Sequence, residues 1–217
     1  MTRSDRYRRF TRRGYHHGNL KEALVSAAKQ LIIEKGPHGF SLVETARLAG
    51  VSPAAPYRHF PDRLDLLREV AQRGFTQFAD RLESAWENGV REPQAALRRL
   101  GQAYIQFACE ERAAYAAMFM AGLDQENSPA LKAESDRAFS ALYNAVSELN
   151  PPSDEARTVS HHIWALSHGI ATLFAQKPPT SQNTTPDPME LLDAGVRLYL
   201  AGLQLSAAKP SLAPSSS

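Results

Sequence analysis

The run over residues 41–60 most constrains the fold, because it carries the start signals of two helices around a tight turn. Ser41 is a side-chain N-cap for a short first helix, and Gly50 can take the positive φ that a sharp turn needs. Ser52 then caps a second helix with Pro53 at its first position, where a missing N–H costs nothing. Two helices joined by a Gly-containing turn are typical of a DNA-binding helix-turn-helix, whose second helix enters the major groove.

Positive charge is concentrated at the same end of the chain. Residues 1–75 hold 14 Lys and Arg against 7 Asp and Glu, whereas residues 76–217 hold 11 against 16. A positive segment attracts DNA phosphates and releases condensed counterions on binding. The alternative interpretation is a solvated, disordered arm, and both hold if the arm becomes ordered only on DNA. The arm carries Arg3, Arg6, Arg8, Arg9, Arg12 and Arg13.

Three ordered motifs give the N-terminal segment a family resemblance. They are ARLAGVS (residues 46–52), YRHF (57–60) and PDRLDLL (61–67), and together they resemble the DNA-binding domain of the TetR family of bacterial transcriptional regulators. Farther on, the segment from Trp164 to Gly169 resembles the WHG signature of one subset of that family. Thr45 departs from the buried Ile or Val usual in the family, and Pro56 should make the second helix short or irregular at its start.

The resemblance implies a set of DNA contacts around the turn. Tyr57, Arg58, His59 and Arg63 would position the protein on phosphates, together with the helix N-termini. Arg58 is the best candidate for a base contact, with a phosphate contact as the alternative. Small residues would meet thymine methyl groups or let the backbone come close. The full predicted set is Ser41, Thr45, Ser52, Ala54, Ala55, Tyr57, Arg58, His59 and Arg63.

The rest of the chain predicts an all-α protein, because apolar residues recur at helical spacing between Pro and Gly breaks. We expect a flexible basic arm over 1–18, a helix-turn-helix domain over 19–70, a helical effector-binding and dimerisation domain over 71–205, and a disordered tail over 206–217. The predicted helices are 19–35, 42–49, 62–86, 94–109, 112–122, 129–149, 154–176 and 189–205, with a loop over 177–188.

Aromatic and Met side chains in the C-terminal half have two interpretations. At helical spacing they are usually ordinary core, but the resemblance implies a small-molecule effector cavity in this domain, and such cavities are mostly apolar. His168 either presents a polar tip into that cavity or is a core histidine bonded to a neighbouring carbonyl. The predicted effector-binding residues are Tyr104, Phe107, Met118, Phe119, Phe139, Tyr143, Trp164 and His168.

The resemblance also implies a homodimer, whose interface would use helices 154–176 and 189–205, and a palindromic double-stranded DNA operator. We expect a repressor that a small apolar effector releases from DNA. Two alternatives are a DNA-binding protein without an effector, and a helical protein or enzyme that handles a small molecule. A dry, filled C-terminal core would favour the first, and perturbed titratable groups in a cavity would favour the second.

Other classes of function find little support in the sequence. Cys109 is the single cysteine, so no internal disulfide is possible and a cytoplasmic setting is expected. No apolar stretch approaches the ~18 residues that a membrane helix needs. His161 and His162 with Cys109 match no known metal signature. We therefore expect no metal, no cofactor and no enzymatic activity, since catalytic motifs are also missing.

Overall fold

The computed structural model describes residues 20–87, 92–124, 128–149, 151, 155–175 and 187–207. Regular structure in these ranges is entirely helical, which confirms the all-α prediction. The helices are α1 (Leu20–Lys35), α2 (Leu42–Leu48), α3 (Arg63–Trp86), α4 (Pro93–Glu110), α5 (Arg112–Phe119), α6 (Pro129–Ser147), α7 (Ala156–Ala175) and α8 (Pro188–Ala207). The basic arm, the predicted first residues Asn19 and Asp154 of two helices, and residues 176–186 and 208–217 lie outside the described residues.

Helix α3 is the central element, because it packs against α1 at its start and against α4, α5 and α6 along its length. Asp62 caps it, with its carboxylate accepting the Asp65 N–H at 2.9 Å. Its apolar side chains recur at helical spacing and are completely buried, notably Leu67, Val70 and Phe78. One continuous core therefore joins the N-terminal helices to the C-terminal ones.

Two predicted helix ends need correction. Helix α5 ends at Phe119, and the chain then turns at Gly122 with φ +63°, so the predicted continuation to residue 122 is wrong. Helix α8 continues through Ala207, so Ser206, the predicted first residue of a disordered tail, is helical. The predicted start of the tail was based on a change of composition, which marks a helix end less sharply than a cap does.

The second helix of the predicted helix-turn-helix is much reduced. Gly50 has φ +72° as expected, but Ser52 caps no regular helix, and only a 3-10 helix forms, over Pro56–Arg58. Pro56 lacks the N–H that would make the first α-helical bond, to the Ser52 carbonyl, whereas the missing N–H of Pro53 costs nothing. That carbonyl accepts the Ala55 N–H instead, at 3.0 Å. The expected irregularity at Pro56 therefore extends over the whole element.

Candidate DNA-binding surface and ligand cavity

Helix α2 begins with a complete capping box. The Ser41 hydroxyl accepts the Glu44 N–H at 3.2 Å, and the Glu44 carboxylate accepts the Ser41 N–H at 2.9 Å. Lys35 lies 2.6 Å from Glu44, and hydrogen bonds from Lys35 and Ser41 lower the pKa of that carboxyl group. An ionised carboxylate therefore occupies the N-terminus of α2. A phosphate at Ser41 would have to displace it.

Thr45 is completely buried, so the prediction that it contacts DNA is wrong. Its hydroxyl donates to the Ser41 carbonyl oxygen at 2.9 Å, which satisfies the hydrogen bond that a buried hydroxyl requires. The same carbonyl accepts the Thr45 N–H at 3.0 Å. Thr45 thus supports the first turn of α2 from inside the core.

The polar surface of this unit lies on the segment after Gly50. Buried Pro56 and Phe60 anchor the segment at either side of three exposed side chains, Tyr57, Arg58 and His59. A 3-10 turn has about three residues, so consecutive side chains point in different directions around it. Ser52 and Ala54 are also exposed and Ala55 is half-buried, so every predicted contact in this segment has accessible surface.

Arginines on this face differ in what they already bind. Arg58 and Arg47 are exposed and form no ion pair with any residue that the structure describes. Arg63 is half-buried, donates to the Pro37 carbonyl oxygen at 2.7 Å and lies 5.6 Å from the Phe40 ring centroid. This geometry favours a positioning role for Arg63 over the predicted phosphate contact.

Most predicted effector residues pack against one another in the core. Phe78 is the centre of the cluster, with its ring centroid 4.9 Å from Tyr104, 4.9 Å from Phe107 and 5.9 Å from Trp164. Sequence reasoning missed Phe78, although its place on the apolar stripe of α3 is a usable signal. Phe107 and Met118 are 0% and 2% exposed. Such close contacts leave no room for a ligand among them.

A cavity of about 890 Å³ opens elsewhere, between α4, α7 and α8. Tyr104 and Trp164 are the predicted effector-binding residues that line it; the other six, Phe107, Met118, Phe119, Phe139, Tyr143 and His168, do not. The cavity depends on where α8 packs, and residues of α8 form one of its walls. Its inner wall is apolar, including Leu97, Leu100, Ile163, Leu192 and Val196.

His168 lies at the centre of a polar network beside this cavity. Its Nδ1 is 3.0 Å from the hydroxyls of both Tyr104 and Tyr115, and the Tyr115 hydroxyl is 3.0 Å from Thr172 Oγ1. Burial lowers the pKa of His168 and raises the pKa of both tyrosines, so all three groups are held neutral. Nδ1 of the histidine therefore lies within hydrogen-bond distance of two phenols, and not of the neighbouring carbonyl that one prediction gave it.

Two searches of the described residues gave no further site. No group of three or more His, Cys, Asp or Glu side chains in these ranges is placed to hold a metal ion. No helix within them is both long and apolar enough to cross a bilayer.

The fold and the exposed turn define a helix-turn-helix transcriptional regulator, and comparison with known sequences gives its family. A sequence profile described as "Bacterial regulatory proteins, tetR family" matches residues 24–70, and one described as "Tetracyclin repressor-like, C-terminal domain" matches residues 97–199. The HTH-type transcriptional regulator BetI of Agrobacterium fabrum is 30% identical over 153 residues, covering 69% of this chain and 74% of the relative. The chain therefore belongs to the TetR family.

Two further comparisons cover more of the chain. The uncharacterised HTH-type transcriptional regulator YobS of Bacillus subtilis is 24% identical over 190 residues, which is 87% of this chain and 95% of the relative. A solved structure of a protein of unknown function from Rhodococcus sp. RHA1 superposes with a TM-score of 0.71 at 29% identity, covering 88% of this chain and 98% of the other. Both matches extend the likeness from the DNA-binding segment into the C-terminal helices.

Proposed function

We propose that this TetR-family regulator is a homodimeric, cytoplasmic repressor that binds a palindromic operator and leaves it when a small apolar effector enters the cavity between α4, α7 and α8. The observation that carries this proposal is the pairing of two features in one chain. Exposed Arg58 has no described ion-pair partner, so it is available to DNA, and the cavity of about 890 Å³ has an apolar inner wall suited to a small ligand.

Operator recognition is assigned to the segment from Ser52 to His59. Arg58 supplies a guanidinium that can bind a guanine edge or a phosphate, and Tyr57, which is 55% exposed, supplies a hydroxyl and a ring. Arg47 on α2 adds a second exposed cation to the same unit. The Ser41 N-terminus contributes least, because Glu44 already occupies it.

Dimerisation is assigned to the outer faces of α7 and α8. Leu173 and Leu198 are 72% and 75% exposed, and Leu191 lies two turns before Leu198 on the same stripe. Gly169 is exposed on α7, and a Cβ there would meet nothing within 4 Å, so nothing inside the monomer requires a glycine. Leucines and a glycine on one outer face suit the close approach of a helix pair from a second copy.

The positions of the cavity and of the proposed dimer face allow ligand binding and DNA binding to affect each other. Helices α7 and α8 form the cavity wall and the proposed dimer face at once. A ligand that fits only one arrangement of these helices shifts the dimer toward a spacing of the two DNA-binding units that does not match successive major grooves. Ligand and DNA then weaken each other's binding by the same factor.

The DNA-binding part is tested by selecting bound DNA from a random pool and measuring affinity for the selected and random duplexes. We expect a palindrome with half-sites about one helical turn apart. Arg58→Ala should weaken binding to the selected site by ~1–3 kcal/mol with less effect on random DNA. Equal loss on both makes Arg58 a phosphate contact. The control Arg81→Ala, which removes an ion pair with Glu110 on another face, should change neither.

The effector part is tested by filling the cavity. Ala95 lies in its wall, so Ala95→Trp should abolish the rise in melting temperature that a small apolar ligand produces. Ala133→Trp, at an exposed site on α6, is the matched control and should leave that rise unchanged. Equal responses of both variants and wild type to ligand would place the effector elsewhere or support regulation without one.

The enzyme alternative is less favoured by the network at His168. The perturbed groups there are all shifted toward their neutral forms by burial. A raised pKa disfavours the phenolate that a tyrosine would need to act as a base or nucleophile. A hydrogen-bond network of neutral groups suits recognition and structure.

A further inference from the structure

The side chain of His168 places one ring nitrogen, Nδ1, against two hydroxyl groups. A neutral imidazole with its proton on Nε2 has a single lone pair at Nδ1. The hydroxyls of Tyr104 and Tyr115 both lie 3.0 Å from that atom, so only one of them can make a full hydrogen bond to it at a time. Tyr115 has other partners in Thr172 Oγ1 at 3.0 Å and the His168 carbonyl oxygen at 3.4 Å. The network therefore has more than one bonding pattern at nearly fixed atomic positions.

Each end of this network reaches a different opening in the protein. Tyr104 lines the cavity of about 890 Å³. Tyr115 and Thr172 line a second cleft of about 310 Å³, whose opposite wall is the end of α1 and the following turn, including Ile32 and Gly36. The network thus runs from the proposed effector cavity to the seam between the DNA-binding helices and the rest.

The seam is held on both sides of α5. Lys29 of α1 lies 3.0 Å from Glu111, the residue before α5, and His38 Nε2 lies 3.3 Å from the Met120 carbonyl oxygen just after it. Because α5 also carries Tyr115, a change in the hydrogen bonds of that tyrosine acts on the helix that contacts α1.

We propose that the cavity binds an elongated apolar molecule carrying a neutral acceptor oxygen, such as a ketone or ester carbonyl, and that Tyr104 donates its hydroxyl proton to that oxygen. This inference rests on the proposed effector function of the cavity. With Tyr104 engaged by ligand, Nδ1 of His168 accepts from Tyr115 alone. Tyr115 then no longer donates to Thr172 at the α1 seam, which changes how α1 is held.

The charges around the cavity decide for a neutral oxygen over a carboxylate. The wall includes Arg98, which lies 2.9 Å from Asp193, and Arg197, whose Nε donates to the Asp193 carbonyl oxygen at 3.3 Å. Three acidic side chains, at Glu92, Glu190 and Asp193, line the cavity together with those two arginines, so negative charges outnumber positive ones. A carboxylate would add a further negative charge to this wall, which is costly, whereas a carbonyl needs one donor.

The inner wall offers that donor in Tyr104. Its other hydroxyl, Ser167, already donates to the Ile163 carbonyl oxygen at 2.8 Å. Burial favours the protonated phenol of Tyr104 by raising its pKa, so the proton is present to be donated.

The test compares three probes of equal length, 2-nonanone, nonane and nonanoate, on the full chain by calorimetry. We expect wild type to bind 2-nonanone about 2- to 13-fold more tightly than nonane, the usual range for one net hydrogen bond, and nonanoate most weakly. Tyr104→Phe should reduce the affinity for 2-nonanone to that for nonane. Tyr143→Phe, on the outer surface of α6, is the matched control and should keep the wild-type preference.

The relay is tested separately by hydrogen exchange at the end of α1. In wild type, 2-nonanone should change exchange of the Gly36 amide, which donates to the Ile32 carbonyl oxygen at 2.9 Å. Tyr115→Phe should keep the affinity for 2-nonanone but lose this change, which a merely structural tyrosine would not do.

The outcomes separate the two claims. If wild type binds the ketone and the alkane equally, the acceptor inference is overturned while the cavity remains a ligand site. If Tyr115→Phe keeps the wild-type exchange response, the relay is overturned. If no probe binds, both this inference and the proposed effector cavity fail.

Discussion

Arg63 Nη1 donates to the carbonyl oxygen of Pro37 at 2.7 Å, which ties the first turn of α3 to the loop after α1. The guanidinium also lies over the ring of buried Phe40, so one side chain fixes the entry to the DNA-binding unit from two sides. The role of Arg63 is therefore expected to appear in stability before it appears in DNA contact.

Arg63→Gln should lower the free energy of unfolding by about 1–3 kcal/mol, because a charged, half-buried donor leaves its carbonyl partner. Chemical denaturation measures this. The control is Arg68→Gln, which breaks only an exposed ion pair with Asp65 at 2.5 Å and should cost little. Equal stability of the two variants, with a salt-sensitive loss of DNA affinity for Arg63→Gln, would restore the phosphate role.

Thr45→Val should leave DNA affinity unchanged and alter the free energy of unfolding by no more than about 1 kcal/mol. The Ser41 carbonyl keeps its bond from the residue 45 N–H at 3.0 Å, so removing the hydroxyl orphans no buried group. Valine also has the branched shape that the buried site holds. A marked loss of operator affinity without a change in stability would return Thr45 to the DNA contacts.

The contrast between Thr45 and Ser41 shows what the sequence could establish. A capping box depends on residues three apart, so Ser41 and the helix after it were predictable locally. Whether Thr45 faces DNA or the core depends on how α1 and α3 pack around α2. The 3-10 helix at Pro56 was anticipated only in part, because the sequence predicts that Pro56 removes the first helical bond but not how far the irregularity extends.

The position of the cavity could not be predicted from the sequence, for a related reason. An apolar stripe shows that a side chain is buried, but the partner on the other side decides whether it meets a neighbour or a void. Phe107 meets Phe78, whereas Tyr104 meets both Phe78 and the open space beneath α8. The position of α8 follows from long-range packing, which periodicity does not encode.

The buried imidazole of His168 predicts a loss of stability in acid. Burial lowers its folded pKa below the 6.5 of an exposed histidine, so the unfolded chain binds the proton more readily. The neutral histidine contributes fully to the free energy of unfolding above pH ~6.5, and this contribution is lost as the pH falls below that value. The free energy of unfolding, measured by denaturant titration from pH 8 to 5, should decline less steeply in His168→Gln than in wild type. Identical slopes would contradict the neutral, buried histidine.

Deleting residues 2–13 removes six arginines and one aspartate from the N-terminal arm. The log–log dependence of DNA affinity on salt should become shallower by several units, because each phosphate contact contributes ~0.9 on duplex DNA. Titrations at four or more salt concentrations, on the selected and on random duplexes, measure this slope. A slope equal to that of the full chain would mean that the arm makes no phosphate contact.

Leu198→Asp should split the proposed dimer without unfolding the subunit. The side chain is 75% exposed, so a carboxylate there is solvated in the monomer but would be buried and unpaired between two copies of α8. Sedimentation velocity at micromolar concentration measures the assembly, and circular dichroism checks that the helices remain. Leu191→Asp, on the same stripe, should act in the same direction.

The matched control is Leu48→Asp, 43% exposed on α2, which should stay dimeric because α2 lies in the DNA-binding unit. A folded wild-type monomer under these conditions would refute the dimer face outright, and an unaffected Leu198→Asp dimer would move the interface to another surface.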